Sequence, residues 1–96
     1  MQLLGKKVID DFKRIHAEVR KALDRWVKLI EGAKFKRHQD VKDLFGAAVD
    51  FVGIQIVFDV GGNKARVITK IEYSTKIVIV THVLTHDEYD KDKWKE

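Results

Sequence analysis

From Lys6 to Glu31 the chain holds neither glycine nor proline, and apolar residues return every three or four positions. Val8, Ile9, Phe12, Ile15, Val19, Leu23, Trp26, Val27 and Ile30 form this stripe, which has the period of a helix with one buried face. A single helix of that length would run about 40 Å at 1.5 Å per residue, whereas a compact domain of this size is roughly 30 Å across. The pattern therefore predicts two antiparallel helices that part around His16 to Glu18, although no breaker residue marks the place. Gly32 fits a C-terminal stop. "AKFKRH" then reads as a basic connection, and "QDVKDLFG" as a short third helix with Asp40 as its N-cap and Gly46 behind its last turn.

From Asp50 the period changes. "FVGIQIVFDV" is rich in β-formers and reads as one strand whose Ile54, Ile56, Phe58 and Val60 share a face. "GGN" at Gly61 to Asn63 supplies the positive-φ residues of a tight hairpin, with Asn63 holding the turn. "KARVITKIEY" follows as a strand, "ST" turns the chain, and "KIVIVTHVL" returns, giving a three-stranded meander to which Gln2 to Leu4 can add an edge. Thr85 and Glu88 have the spacing of a capping box, so "HDEYDK" opens a short terminal helix. The expected fold class is α+β: an N-terminal helical hairpin packed on one face of a small twisted antiparallel sheet, with a short C-terminal helix.

Length and composition narrow this picture without redirecting it. Ninety-six residues with neither repeats nor low-complexity segments read as one domain spanning 1–96. The absence of cysteine excludes a disulfide frame and a thiolate zinc site. No apolar run approaches the roughly 18 residues of a membrane span, and Lys6 and Lys7 interrupt any signal-peptide core; the expectation is a cytoplasmic protein with no membrane partner. A net charge of +4 and a pI near 9.4 suit a polyanionic partner but do not single one out.

Candidate chemistry falls in the second half. Side chains alternate along a strand, so Lys64, Arg66, Ile68 and Lys70 share one face while Ala65, Val67, Thr69 and Ile71 face the helices. Such a row of cations is most often a solvated face with edge-protecting lysines; as a functional feature it is a phosphate cradle, with Arg66 suited to bidentate contact. His86 and Tyr89 fall three apart on the terminal helix, hence on one face. His82 and His86 are four apart, but one ends a strand and the other starts a helix, so no metal site is expected. His16 and His38 read as surface residues, Trp26 as core and Trp94 as a clasp for the C-terminus. Lys34, Lys36 and Arg37 in "KFKRH" form an ordinary solvated loop or a widening of an RNA-binding footprint. No nucleophile elbow, P-loop or dinucleotide fingerprint occurs, and no cofactor is implied.

Two motifs in series, "VFDVGGNKARVITKIEY" and "THDEYDK", resemble the HigB family of bacterial toxins, within the RelE/ParE-like superfamily of type II toxin–antitoxin systems. Trp26, Ala33 and "DVKDLF" also stand at family-like positions, so the likeness covers nearly the whole chain. The resemblance implies a helical hairpin on an antiparallel sheet and a metal-independent endoribonuclease that cuts mRNA, commonly on translating ribosomes. It also implies silencing by a HigA-type helix-turn-helix antitoxin, and a monomeric free toxin. By motif position, His86 and Tyr89 take acid–base and positioning roles, Arg66 and Lys64 stabilise the phosphate, and Lys70 and Lys91 make secondary phosphate contacts.

Two departures stand out: Ala65 occupies a position where the family often has an aromatic, and "IHAEV" lacks the family's frequent His-Pro between the first helices. The competing readings are a ParE-like toxin that poisons DNA gyrase on the same fold, and a degenerate member that only binds antitoxin or RNA.

Overall fold

The structure is a computed structural model that describes residues 1–62, 64–91 and 94. Its first strand, β1 (Gln2–Leu4), leads through Gly5 into helix α1 (Lys6–Ile15). Gly5 has φ +86°, and a Cβ there would run into the carbonyl of Val80, so only glycine lets the strand turn into the helix at this point. At His16 the backbone leaves helical geometry (φ −122°, ψ 72°), and a 3₁₀ turn (Ala17–Val19) leads into α2 (Arg20–Gly32). The predicted break falls where the length argument placed it. The longest dimension of the molecule is 33 Å, too short for an unbroken helix. His16 is half-buried, stacked on Phe12 and paired with Glu18, so its ring supports the break. Ion pairs Lys6–Glu31 and Lys13–Asp24 tie α1 and α2 together in opposite directions.

Helix α3 (His38–Phe45) starts earlier than "QDVKDLFG" suggested. Asp40 is not its N-cap; it lies in the first turn and reaches back to accept the Lys36 backbone N–H at 2.8 Å. The cap position falls to Arg37 with no side-chain bond, so the carboxylate satisfies the chain entering the helix instead. Of the histidines read as surface residues, His38 is exposed but not idle: it stacks on Phe51 and bonds to the Tyr73 hydroxyl.

The strands then run β2 (Val49–Val52), β3 (Gln55–Val60), β4 (Ala65–Glu72) and β5 (Ile77–Leu84), followed by α4 (His86–Asp90). Two expectations need correction. "FVGIQIVFDV" is not one strand: Gly53 (φ +61°) folds it into a β2–β3 hairpin with Val52 opposite Gln55. Ile54 therefore sits in the turn, 78% exposed, whereas Ile56, Phe58 and Val60 do line the core. Nor is the sheet wholly antiparallel. It has five strands in the order β1-β5-β4-β3-β2, and β1 pairs with β5 in parallel. The helices carry the chain from β1 at one edge to β2 at the other, and the antiparallel run from β2 to β5 brings it back beside β1, pointing the same way. Gly61 and Gly62 take positive φ in the β3–β4 turn as predicted; Asn63 lies outside the described residues.

The main core lies between the helices and one face of the sheet, around Ile9, Leu23, Trp26, Ile30, Val41, Phe58, Ala65, Val67, Val78 and Val83. Ala65 points into this core, so a larger ring in its place would meet the helices and not a substrate. The other face is not simply open. Trp94 packs there on Val57 and Ile68, with Val52, Leu84 and Tyr89 around it, and its Nε1 donates to the Tyr89 carbonyl at 2.9 Å. Trp94 is thus the clasp the sequence suggested, and Ile68, fully buried, is part of what it holds. Among the described residues no helix is long and apolar enough to cross a membrane.

Candidate functional site

On the face away from the main helices, hairpin register places Asp59 of β3 opposite Arg66 of β4, and Arg66 opposite Leu84 of β5. Arg66 Nη1 donates to Asp59 Oδ1 at 2.8 Å, with the two side chains only 13% and 32% exposed. A pair this sheltered is screened less than a surface ion pair, and it fixes the plane of the guanidinium.

Beyond Leu84 the chain must leave the sheet, and the sequence supplies the means. Thr85 Oγ1 accepts the Glu88 N–H, and the Glu88 carboxylate accepts the Thr85 N–H at 2.9 Å, completing the predicted capping box. α4 therefore starts at a fixed point beside β4 and presents His86 and Tyr89 to Arg66. Arg66 Nη2 lies 3.4 Å from His86 Nδ1, and the guanidinium carbon sits 5.4 Å from the centre of the Tyr89 ring, within cation–π range. Tyr89 stacks in turn on Trp94, with ring centres 4.9 Å apart. On its far side the His86 ring meets Asp90: Nε2 is 3.3 Å from Oδ2. A guanidinium only donates hydrogen bonds, so this network assigns His86 Nδ1 as the acceptor and Nε2 as the donor to Asp90.

A cleft of about 410 Å³ opens over this group, lined by Lys42, Asp50, Val57, Asp59, Arg66 and Tyr89 among others. Lys42, Arg66 and the Tyr89 ring border it together with the carboxyl groups of Asp50 and Asp59, and His86 adjoins it through Arg66. Such an arrangement can hold an anion, exchange a proton with it and keep the imidazole oriented. Among the described residues no group of three or more His, Asp or Glu side chains could hold a metal ion.

Of the residues singled out by sequence, Arg66, His86 and Tyr89 come together. Lys64 is exposed in the β3–β4 turn, beside the strand end that carries Arg66. Lys70 is exposed on the same face as Arg66 but four residues along the strand, about 13 Å away. Lys91, at the end of α4, borders a second cleft with His82, Leu84, Glu88 and Trp94. Lys34, Lys36 and Arg37 belong to the α2–α3 connection, which Phe35 anchors in the main core, so they stand apart from the Arg66 cleft.

Sequence reasoning missed Asp59, Asp90 and Lys42. Asp59 was findable: once "GGNK" is taken as the loop, Val60 opposes Ala65 and Asp59 must oppose Arg66. Asp90 reads from sequence as one more acid of a first turn, yet it closes α4 four residues after His86 and pairs with it. Lys42 reaches the cleft from α3, which no local signal indicates.

Comparison with known proteins places the whole chain. The profile of the HigB toxin family, described as the RelE-like toxic component of a toxin-antitoxin system, matches residues 19–92. The mRNA interferase toxin HigB of Escherichia coli K12 is 27% identical over 92 residues, covering 94% of this chain and 88% of that protein. The mRNA interferase HigB of Escherichia coli O6:H1 is 29% identical over 93 residues, covering 95% of this chain and 90% of its own. The chain is similar to an mRNA interferase HigB of Shigella flexneri at 27% identity over 92 residues.

Proposed function

The chain belongs to the HigB family of RelE-like toxins, the toxic components of toxin–antitoxin systems, and on that premise we propose that it is an mRNA interferase acting on translated messages. The relatives it resembles carry that activity in their names. One observation supports the reading more than any other: Arg66, backed by Asp59, touches both His86 and Tyr89 at the edge of a cleft.

The reaction has three demands. The 2′-hydroxyl next to the scissile phosphate loses its proton, its oxygen attacks phosphorus, and the 5′-oxygen leaves with a proton. Products are a 2′,3′-cyclic phosphate and a 5′-hydroxyl. Arg66 neutralises the charge that gathers on the phosphorane oxygens, and Lys64 and Lys70 hold flanking phosphates. His86, beside Arg66, and Tyr89, with its ring on the same cleft, share the acid–base work. Asp90 and Arg66 keep the His86 ring in one orientation.

The partners that fit are mRNA, presented by the ribosome, and a cognate helix-turn-helix antitoxin of the HigA type; the free toxin is a monomer in the cytoplasm. The basic connection at Lys34, Lys36 and Arg37 then serves the larger ribosomal footprint and not the reacting phosphate.

Induced expression in bacteria, with RNA 5′ ends mapped for the native chain and for His86→Ala, tests the proposal. The expected outcome is new in-frame cleavage sites that fall about 100-fold or more in the variant, the usual scale for a lost proton-transfer group. Growth arrest without new RNA ends would replace the nuclease reading with a gyrase-directed toxin, and no arrest would leave a binding protein only.

A further inference from the structure

The Arg66 cleft must attract a polyanion, yet the charges on its border nearly cancel. Four charged residues line it: Lys42 of α3, Asp50 of β2, Asp59 of β3 and Arg66 of β4. Arg66 and Asp59 are held together at 2.8 Å. The guanidinium still offers N–H donors to a phosphate beside it, but from further away the two charges largely offset one another. Asp50 is exposed and forms no ion pair among the described residues. Without Lys42, therefore, the border of the cleft would carry a surplus negative charge and oppose the entry of an RNA strand.

The fold leaves Lys42 free to cancel that surplus. Its neighbour Val41 is fully buried in the main core, which fixes α3 in place. Both carboxylates of α3 are engaged elsewhere: Asp40 accepts the Lys36 backbone N–H, and Asp43 accepts from the Gln39 side chain at 2.8 Å. Lys42 itself is exposed and has no ion-pair partner among the described residues. Its flexible four-carbon stem carries a compact charge that can swing over the cleft. The position is also distinct from that of Arg66. α3 packs against β2, the edge strand, whereas Arg66 stands on β4 with β3 between. Two strand spacings are about 10 Å, so the two cations suit successive phosphates.

We propose that Lys42 binds the phosphate next to the scissile one and that Asp50 opposes it, so that this pair sets the affinity of the cleft for RNA. The inference rests on the ribonuclease reading. Lys42 acts in binding and takes no part in proton transfer, in contrast to His86 and Tyr89.

Single-turnover cleavage of an mRNA held on ribosomes, with the full chain in excess and varied in concentration, tests this. Lys42→Gln should raise the half-saturating concentration about tenfold, the scale of one charge-assisted contact, and leave the rate at saturation within about twofold. The dependence of log affinity on log salt should become shallower by about 0.7, the share of one single-strand phosphate. Lys42→Arg should keep most of the native affinity. Asp50→Asn should tighten binding, and combined with Lys42→Gln it should restore much of what that change loses. Because both side chains are exposed, these variants test charge without disturbing the core. Unchanged half-saturation and salt dependence in Lys42→Gln overturn the assignment while leaving the nuclease in place, and so does a loss confined to the saturated rate. A native protein that makes no cuts overturns both.

Discussion

Arg66 is a cation whose counter-ion is already built in, and this determines what can replace it. Asp59 holds one edge of the guanidinium, His86 meets another, and the Tyr89 ring lies against its face. A lysine ammonium is a compact point of charge without the planar fork and stacking face that meet these three partners together. Arg66→Lys should therefore cost about 100-fold or more in cleavage rate, close to the loss from removing an oxyanion-stabilising donor elsewhere. Asp59→Asn should give a smaller loss, because the arginine remains but is no longer oriented by a charge. Single-turnover cleavage of a short RNA would separate the two, and a fully active Arg66→Lys protein would remove Arg66 from the mechanism. At this scale the sequence was most informative: "THDEYDK" and "KAR" named the three groups that meet. What it could not show was the ring of carboxylates behind them. Asp59 becomes Arg66's partner only when a hairpin register is chosen, and Asp90 becomes His86's only when α4 has an end.

Among the elements, α4 is the most dependent on its surroundings. Five residues make little more than one turn, far below the length at which a helix holds itself in water. Its order comes from the Thr85–Glu88 box at one end and the Trp94 clasp at the other. Thr85→Ala should remove about 1 kcal/mol of capping. Because α4 carries His86 and Tyr89, the loss should appear as faster amide exchange in α4 and slower cleavage, with the main core unchanged. Equal loss of protection throughout the molecule would instead make α4 part of the global fold.

Elements were less legible than residues for specific reasons. Gly53 lies within a run of β-formers, and the run outweighs one glycine until Ile54 is found at the turn, outside the core. The direction of β1 is not written in three residues; it emerges only when β5 comes to lie beside it after the helices and three antiparallel strands. The helix break at His16 was legible because it depended on length alone.

For the whole molecule, stability at alkaline pH has two identifiable contributors. Burial, and then the nearby charge of Asp40, push the Tyr73 phenol above its ordinary pKa. The hydrogen bond to Asp24 holds the Lys13 ammonium in its charged form to higher pH than usual. In both, the folded pKa lies above the unfolded one, so the stabilisation is complete below the unfolded value and is lost as pH rises through the folded value. The molecule should therefore weaken as pH climbs beyond 10, the ordinary value for Tyr73. Tyr73→Phe should flatten that decline without touching the acid side, where Asp11, held low by the hydrogen bond from Lys7, loses its contribution as pH falls. Thermal unfolding across the alkaline range is the measurement; an identical alkaline slope in both proteins would assign the decline to other groups.

The extra residue in β5 makes the strand a counter with a deliberate miscount. The β4–β5 ladder passes from Thr69↔Val80 to Ile68↔His82, so up to Val80 the even positions belong to the core and from His82 onward to the face that carries Arg66. Single substitutions along β5 leave that count intact, so the strand can drift in composition and still deliver its final residues to the same face. Loss or gain of one residue cannot be absorbed in the same way, since it would send His82 toward the helices and Val83 toward solvent. In descendants of this chain, β5 should therefore vary freely in spelling and hardly at all in length.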